Sequence, residues 1–487
     1  MLQTAIMIPY SVFRLQGDCA EKRAAGNCKA FVEGGDEGGH MKSDSTVKEK
    51  FPLGRFFAWK TRDISLGCMV IILGYLSLYA STELGIPVGI IGSLMMASKI
   101  FDAVTDLFAG YIIDNTNTRF GKARPYEFAV IGAWISTVAL FSCPPSLSLT
   151  VKCVWLFCMY TLTYSIFATL LYGCQQAYIV RAFKDRETII KVSSFGGIVS
   201  TLGASVVSIS FPILIKKIAV TPEGWSRLVL LYAVPLLILG MLRFLFVKEV
   251  YTPGQQKVQE KTTVRQIFTM LKKNPYVWDV GIVAGSVQFI MGLGSAQYYF
   301  KFIVGDIGQY SKLQAMTILM LVFMFAFPKM IRKMSVGRVV ILCSAVGIAG
   351  YIVNFFAGSS MAMLMVAFIV TGIASLPGAY LQAPMLMECS SYNEMLGLPR
   401  MDSTSAAVMN FMIKFMNALG AGLMGLLLQA SGFIATKSGE VVTQPGSAML
   451  MIRILYSIVP AAALFVVILA AKHFDGLGKK LKENGKQ

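Results

Sequence analysis

Residues Lys99 to Pro125 read KIFDAVTDLFAGYIIDNTNTRFGKARP, and this stretch decides the fold. Its first half lies in an apolar segment that begins near Gly89. That segment is long enough to cross a bilayer, which takes roughly 20 mostly apolar residues at about 1.5 Å rise each. Asp102 and Asp106 are four apart and share one helix face, with roughly 5–6 Å between such Cβ atoms. A carboxylate near mid-bilayer costs about 2.5–3.5 kcal/mol on insertion scales. Two on one face must therefore point inward and meet a cation, a proton or a basic partner. Both cannot stay bare anions in a low dielectric, so one takes a proton or a cation binds between them. The structural alternative is an ion pair with Lys99 or Lys414.

Composition agrees with a membrane chain. Of 487 residues, 55% are hydrophobic and only 14% charged, against roughly 25% charged in soluble domains. The net charge is +18. The cations fall in short loops and tails beside apolar runs, so the pattern is positive-inside rather than nucleic-acid binding. The nine cysteines show no metal-ligand spacing and read as small packing residues. His40 and His473 both fall outside the expected spans, which leaves no histidine proton relay.

Spans are expected near 63–82, 88–113, 126–143, 150–181, 190–216, 228–248, 276–304, 313–332, 337–357, 360–386, 404–433 and 447–473. Cations gather after the even-numbered spans: Arg119/Lys122/Arg124, Arg181/Lys184/Arg186, Lys248 through Lys273, Lys329/Arg332/Lys333/Arg338 and Lys479/Lys480. That bias places both termini and the central loop in the cytoplasm of a multi-pass plasma-membrane protein. The expected division is a disordered or mis-annotated extension 1–50, a six-helix bundle 51–248, a linker 249–275, a second bundle 276–473 and a tail 474–487. Two six-helix halves fit a mid-chain linker, and the loop Met330 to Arg338 faintly repeats the basic loop after span 2. The string Glu37-Gly38-Gly39-His40-Met41 resembles a translated ribosome-binding sequence. Translation is therefore expected to begin at Met41, the alternative being an ordinary disordered tail. There is no dinucleotide fingerprint or Walker loop.

The second half of the opening stretch carries a family resemblance. Asp-x-x-x-Asp is followed at fixed distance by Asp114, Thr116, Arg119, Gly121, Lys122, Arg124 and Pro125. This resembles the second helix and following loop of the glycoside–pentoside–hexuronide:cation symporters, the melibiose-carrier family of the major facilitator superfamily. The resemblance covers residues 52–475. It implies an all-α membrane protein of twelve helices in two six-helix bundles. It implies cation-coupled symport of a sugar or glycoside by alternating access, with Asp102 and Asp106 helping to form the coupling-cation site. The segment Arg400 to Lys414 aligns without gaps to the family's Arg-x-Glu…Lys segment, and Glu388, Ser391, Tyr392 and Glu394 match its Asp-x-x-Asp-Tyr-x-Glu run. On this reading Asp114, Arg119, Lys122, Arg124, Glu388, Tyr392, Glu394 and Arg400 take conformational roles. Lys414, flanked by Asn410 and Asn417, bridges the two halves.

The chain departs from the family in two places. In span 4, Ala168 stands where melibiose carriers use a third polar residue that contacts cation and sugar. Ser165 remains as a cation ligand and Tyr172 as a ring for sugar stacking. In span 5, Gly196 stands where the family usually places an arginine. Sodium wants several hard oxygens, whereas a proton asks for one titrating acid, so a proton is the favoured coupling ion, with sodium as the alternative. Asp63, after Arg62, corresponds to the family's first-helix sugar-binding acid or else forms an interfacial ion pair. Gln175, Gln176, Gln288, Gln297, Tyr298, Lys301 and Gln382 suit hydroxyl-rich cargo or act as helix–helix glue. Substrate contacts are expected from Asp63, Tyr172, Asn410, Lys414 and Gln297. The partners are a small sugar or glycoside and the bilayer, with no nucleic acid and no cofactor beyond the coupling cation, and the protein is expected to work as a monomer. Two alternatives stand beside this: the same fold carrying a lipid or other non-sugar, and an intramembrane magnesium-diphosphate enzyme using Asp102, Asp106 and Asp114.

Overall fold

The computed structural model describes residues 52–116, 118–183, 186–250, 264–319, 334–399, 401–438, 440 and 442–483. The 1–50 extension with its Met41 start, Lys184, Arg400, residues 251–263 and most of the eighth span (320–333) lie outside them, as do the side chains of Asp114, Gln176 and Arg186. Everything described is helix, turn or loop, apart from isolated bridges at Leu84–Lys437 and Thr118–Gly121. A backbone in lipid must satisfy its own N–H and C=O groups, and a helix does so within one segment.

The N-terminal half comprises α1 (Leu53–Leu73), α2 (Leu76–Thr82), α3 (Val88–Asn115), α4 (Ala129–Leu140), α5 (Leu149–Thr161), α6 (Thr169–Ala182), α7 (Arg186–Ile218) and α8 (Pro222–Phe246). The C-terminal half comprises α9 (Val264–Lys273), α10 (Tyr276–Leu293), α11 (Ser295–Tyr298), α12 (Val336–Ala357), α13 (Met361–Ile373), α14 (Leu376–Tyr380), α15 (Gln382–Met395), α16 (Asp402–Ala430), α17 (Gly446–Tyr456) and α18 (Ile458–Glu483). Nine helical runs among the described residues are long and apolar enough to cross a membrane. The 28-residue α3 and the 12-residue α4, entered by the tight turn Arg124–Phe128, account for spans 2 and 3. Span 8 is helical from 310 to 319, where the described residues stop.

Three boundaries differ from the sequence reading. The first span begins at Leu53, ten residues before the expected start, because Lys60 and Arg62 are paired with Asp63 and Glu127 inside the protein. The central linker holds α9, whose Met270 is fully buried in the C-terminal half. The final helix runs past the start of the expected tail to Glu483, with Phe474, Leu477 and Leu481 in the core.

The apolar core positions the site. At one end a single cluster runs from Leu66 to Leu455 and draws on both halves. At the other end it separates into two: Phe56, Trp59, Tyr178 and neighbours in the N-terminal half, and Tyr276, Met385, Phe474 and neighbours in the C-terminal half. The halves are welded at one end and parted at the other, where Arg119, Lys122 and Arg124 lie. A cleft therefore opens toward the basic end.

Candidate functional site

The acid pair of α3 lies between the halves. Lys414 of α16 reaches across from the other half, its Nζ 3.1 Å from Asp102 Oδ2 and donating also to Asp106 Oδ2. Asp102 is buried, whereas the side chains of Asp106 and Lys414 are 41% and 31% exposed. One carboxylate thus faces protein and the other faces the cleft.

Thr169 completes the constellation. Its Oγ1 lies 2.8 Å from Asp102 Oδ1 and 3.1 Å from Asp106 Oδ1, so one hydroxyl proton is shared between both acids. Thr169 comes directly after Leu162–Ala168, a turn widened to i→i+5 bonding. Such turns carry one extra residue and are frequent at functional sites. The extra residue rotates the downstream part of the helix by roughly 100° about the axis. This brings Thr169 to the acids, beside the apolar Ala168. Ser165 points elsewhere, its Oγ donating to the Ser98 carbonyl at 3.2 Å. The sequence reading missed Thr169 because α-helical register cannot anticipate a widened turn.

Lys99 shares the face of Asp102 one turn away, yet no carboxylate among the described residues pairs with it. Its ammonium stands 3.4 Å from the centre of the Tyr164 ring and 5.7 Å from that of Tyr160. A cation over an aromatic face gains about 0.5–2 kcal/mol.

A second charged cluster lies inside the N-terminal half, beside the Trp59 and Tyr178 core at its basic end. Arg62 donates to Glu127 Oε1 at 3.0 Å, to the Leu171 carbonyl at 2.7 Å and to Gln175. Arg243 reaches Gln175 Oε1 at 2.9 Å and Asp63 Oδ1 at 3.4 Å, with its guanidinium 3.2 Å above the Trp59 ring. Lys60 Nζ pairs with Asp63 at 2.9 Å. Arg62 and Asp63 pair with each other at 3.6 Å within this network, in which Arg62, Glu127 and Arg243 are all fully buried. An ionisable residue inside spans 3 and 6 was the available signal for Glu127 and Arg243. Half-exposed Tyr172 lies within electrostatic reach of Arg62 and Asp63. A Cβ at Gly196 would collide with Lys60 Cε and Nζ. Lys60 therefore occupies the room that a span-5 side chain would need, and the cation there comes from span 1.

The remaining expected residues scatter. Asn410 is exposed on α16. Asn417 donates to the Gln288 carbonyl and to its Oε1, both at 3.1 Å, as helix–helix glue. Gln382 bonds within its own turn to the Gly378 carbonyl. Gln297 is packed by Gly74 at the break in the first span, away from the acids. The loop after α3 is held inside its own half: the carboxylate of Glu249 accepts the backbone N–H groups of Lys122, Ala123 and Arg124 at 3.0, 2.7 and 2.6 Å. The Arg124 guanidinium bonds the Phe244 carbonyl at 2.7 Å, and Arg119 stacks over Phe120. Tyr392 packs edge-on to Tyr276, and Glu388 and Glu394 lie on the same helix, α15. No sequence signal pointed to Glu249.

At the welded end the halves are tied directly. The Ser81 and Glu83 carbonyls accept from Thr436 and Ser438 at 2.9 and 3.2 Å. Tyr298 bonds Ser77 and Ser81, Glu83 lies 4.0 Å from Lys301, and Lys216 meets Asp306 at 2.9 Å. Burial pushes the Glu83 carboxyl up, while the Lys216 hydrogen bond holds Asp306 below the ordinary carboxylate range.

Residues 65–474 match the family described as MFS/sugar transport protein. The isoprimeverose transporter of Lactiplantibacillus pentosus is 26% identical over 80% of this chain and 82% of that protein. The glucuronide carrier protein homolog of Escherichia coli K12 is 22% identical over 84% and 89%. Among solved structures, a D-xylose–proton symporter superposes with TM-score 0.60 at 16% identity, over 87% of this chain and 97% of that one. A bacterial homologue of the human lysosomal transporter Spinster gives 0.62 at 15%, over 88% and 96%. These are transporters, which removes the magnesium-diphosphate enzyme reading. The chain belongs to the MFS/sugar transport protein family, among the glycoside–pentoside–hexuronide:cation symporters that its second-span motif resembles.

Proposed function

We propose that this protein is a proton-coupled sugar symporter of the plasma membrane, in which Asp102, Asp106 and Thr169 hold the coupling ion and Lys414 is its internal competitor. The observation that carries the reading is the Lys414 ammonium, supplied by one half and bonded to both acids of the other. With no external cation bound, Lys414 offsets one of the pair's two negative charges and ties the halves together. A proton arriving on the pair weakens that tie and frees Lys414 for the cargo. The two halves can then rock, as far as differential binding allows. Two carboxylates and one hydroxyl make a thin sodium shell, which favours the proton. The cargo of the relatives, isoprimeverose and a glucuronide by name, favours a sugar or glycoside. The positive-inside bias puts the basic end in the cytoplasm, so the open cleft faces inward. The monomer suffices, since both halves of the site belong to one chain.

The test is uptake of radiolabelled glycosides into vesicles under an imposed pH gradient or a sodium gradient at fixed pH. The expected result is accumulation driven by pH and lost in Asp102→Asn and Asp106→Asn. Strong sodium dependence, or full accumulation with both acids replaced, would overturn the reading.

A further inference from the structure

We propose that the outer face of α9, in the linker between the halves, docks anionic phospholipid of the inner leaflet. Lys272 and Lys273 take the headgroup, and Phe268 and Trp278 take the edge of the hydrocarbon. The helix has two opposed sides. Met270 and Asn274, four residues apart, are fully buried. Asn274 Nδ2 donates to the Cys389 carbonyl at 3.0 Å and to Asn393 Oδ1 at 2.7 Å, which locks that side to α15. Phe268 and Lys272 are also four apart, and each lies about 200° around the axis from its buried counterpart two residues on. The Phe268 ring is 69% exposed, and Lys272 and Lys273 are exposed beside it. Trp278, in the first turn of α10, is 39% exposed and donates its Nε1 hydrogen to the Leu271 carbonyl at 3.3 Å, so its ring is held against the end of α9.

Charge and depth together select the partner. Residues 264–273 include Arg265, Lys272 and Lys273 and no acid. The next acid along the chain, Asp279, is buried and bonded to His473 at 2.6 Å. The cations therefore call for anions from outside the helix, while the two rings call for an apolar surface. An anionic leaflet offers both, with phosphates layered directly over acyl chains. Aromatic rings favour that boundary, and helices with a basic side and an aromatic edge lie in its plane. The position also fits: the membrane span α10 begins at Tyr276, three residues after α9 ends. A lipid held there fixes the C-terminal half at one height, and the N-terminal half tilts against it through the linker.

The experiment measures tryptophan fluorescence of the full chain in vesicles containing brominated phosphatidylglycerol or brominated phosphatidylcholine at equal mole fraction. The difference between wild type and Trp278→Phe isolates the Trp278 signal. Its quenching is expected to show about fivefold preference for the anionic lipid, and that preference should shrink as salt rises from about 0.02 M to about 0.5 M. Lys272→Gln combined with Lys273→Gln is expected to bring the preference within about twofold, and the matching arginine pair to retain it. Both lysines are exposed, and the wild-type comparison decides by itself if the glutamine variant fails to reach the membrane. Equal quenching of Trp278 by the two lipids makes this face an ordinary lipid contact and overturns the proposal. Quenching by neither shows that protein covers the face, and overturns it as well. Each of these outcomes leaves the sugar-symport reading standing.

Discussion

Gly92 of α3 and Gly425 of α16 meet backbone to backbone. A Cβ at either glycine would stand 2.9 Å from the other's Cα, and a Cβ at Gly92 also 2.8 Å from the Ala421 carbonyl. The same two helices carry the acid pair and Lys414, roughly three turns further along. The contact that welds one end and the ion pair that spans the middle are therefore parts of one helix crossing. Gly92→Val or Gly425→Val forces backbones apart, and overpacking costs about 1–3 kcal/mol. Both variants are expected to open the welded end and slow uptake. A cysteine placed at Ser81 should become labelled several-fold faster by an impermeant thiol reagent applied from outside.

Thr169 and Ser165 make a matched comparison within one span. Thr169→Val strips the shared donor from two carboxylates, and a hydrogen bond to a charged group contributes about 1.5–3 kcal/mol. Ser165→Ala removes one bond to a backbone carbonyl, nearer 0.5–1.5 kcal/mol. Proton-driven uptake should fall about tenfold or more in the first and no more than about threefold in the second. Equal losses would return the cation ligand to Ser165.

Glu249 is expected to matter for stability. Its carboxylate fills a nest of three backbone N–H groups, and a Cβ at Gly121, where φ is +118°, would collide with it. Glu249→Ala leaves those donors unmatched. Trypsin cleavage at Arg119 and Lys122 should accelerate, and the melting temperature in detergent should fall by about 5 °C or more. Glu249→Gln, which keeps an acceptor, should lie between.

The welded end should respond to external acid. Asp306 is held below its ordinary range by Lys216. Its contribution to the closed state is therefore present above the ordinary carboxylate value and lost as pH falls through the lowered one. Asp306→Asn removes that contribution. Thiol labelling of the welded end should thus rise below about pH 4 in wild type, and that rise should be smaller in Asp306→Asn.

The sequence by itself determined the membrane class, the family and the placing of two acids on one face of the second span. Each rests on short-range chemistry: apolar runs of bilayer length, cations in alternate loops, and two carboxylates spaced to share one helix face. Lys414 was legible for the same reason, as a charge too deep in a span to be idle. Only the tertiary structure decided which groups those residues meet. A widened turn gave the hydroxyl to Thr169 instead of Ser165. Folding also brought Arg62, Glu127 and Arg243 from three separate spans into one buried network, and it laid Lys60 across Gly196. It seated Glu249 in a loop more than a hundred residues earlier in the chain and left Lys99 facing tyrosines instead of acids. Helical periodicity reports what one segment presents, whereas these partnerships depend on how distant segments rotate and pack against one another, and no local pattern records that.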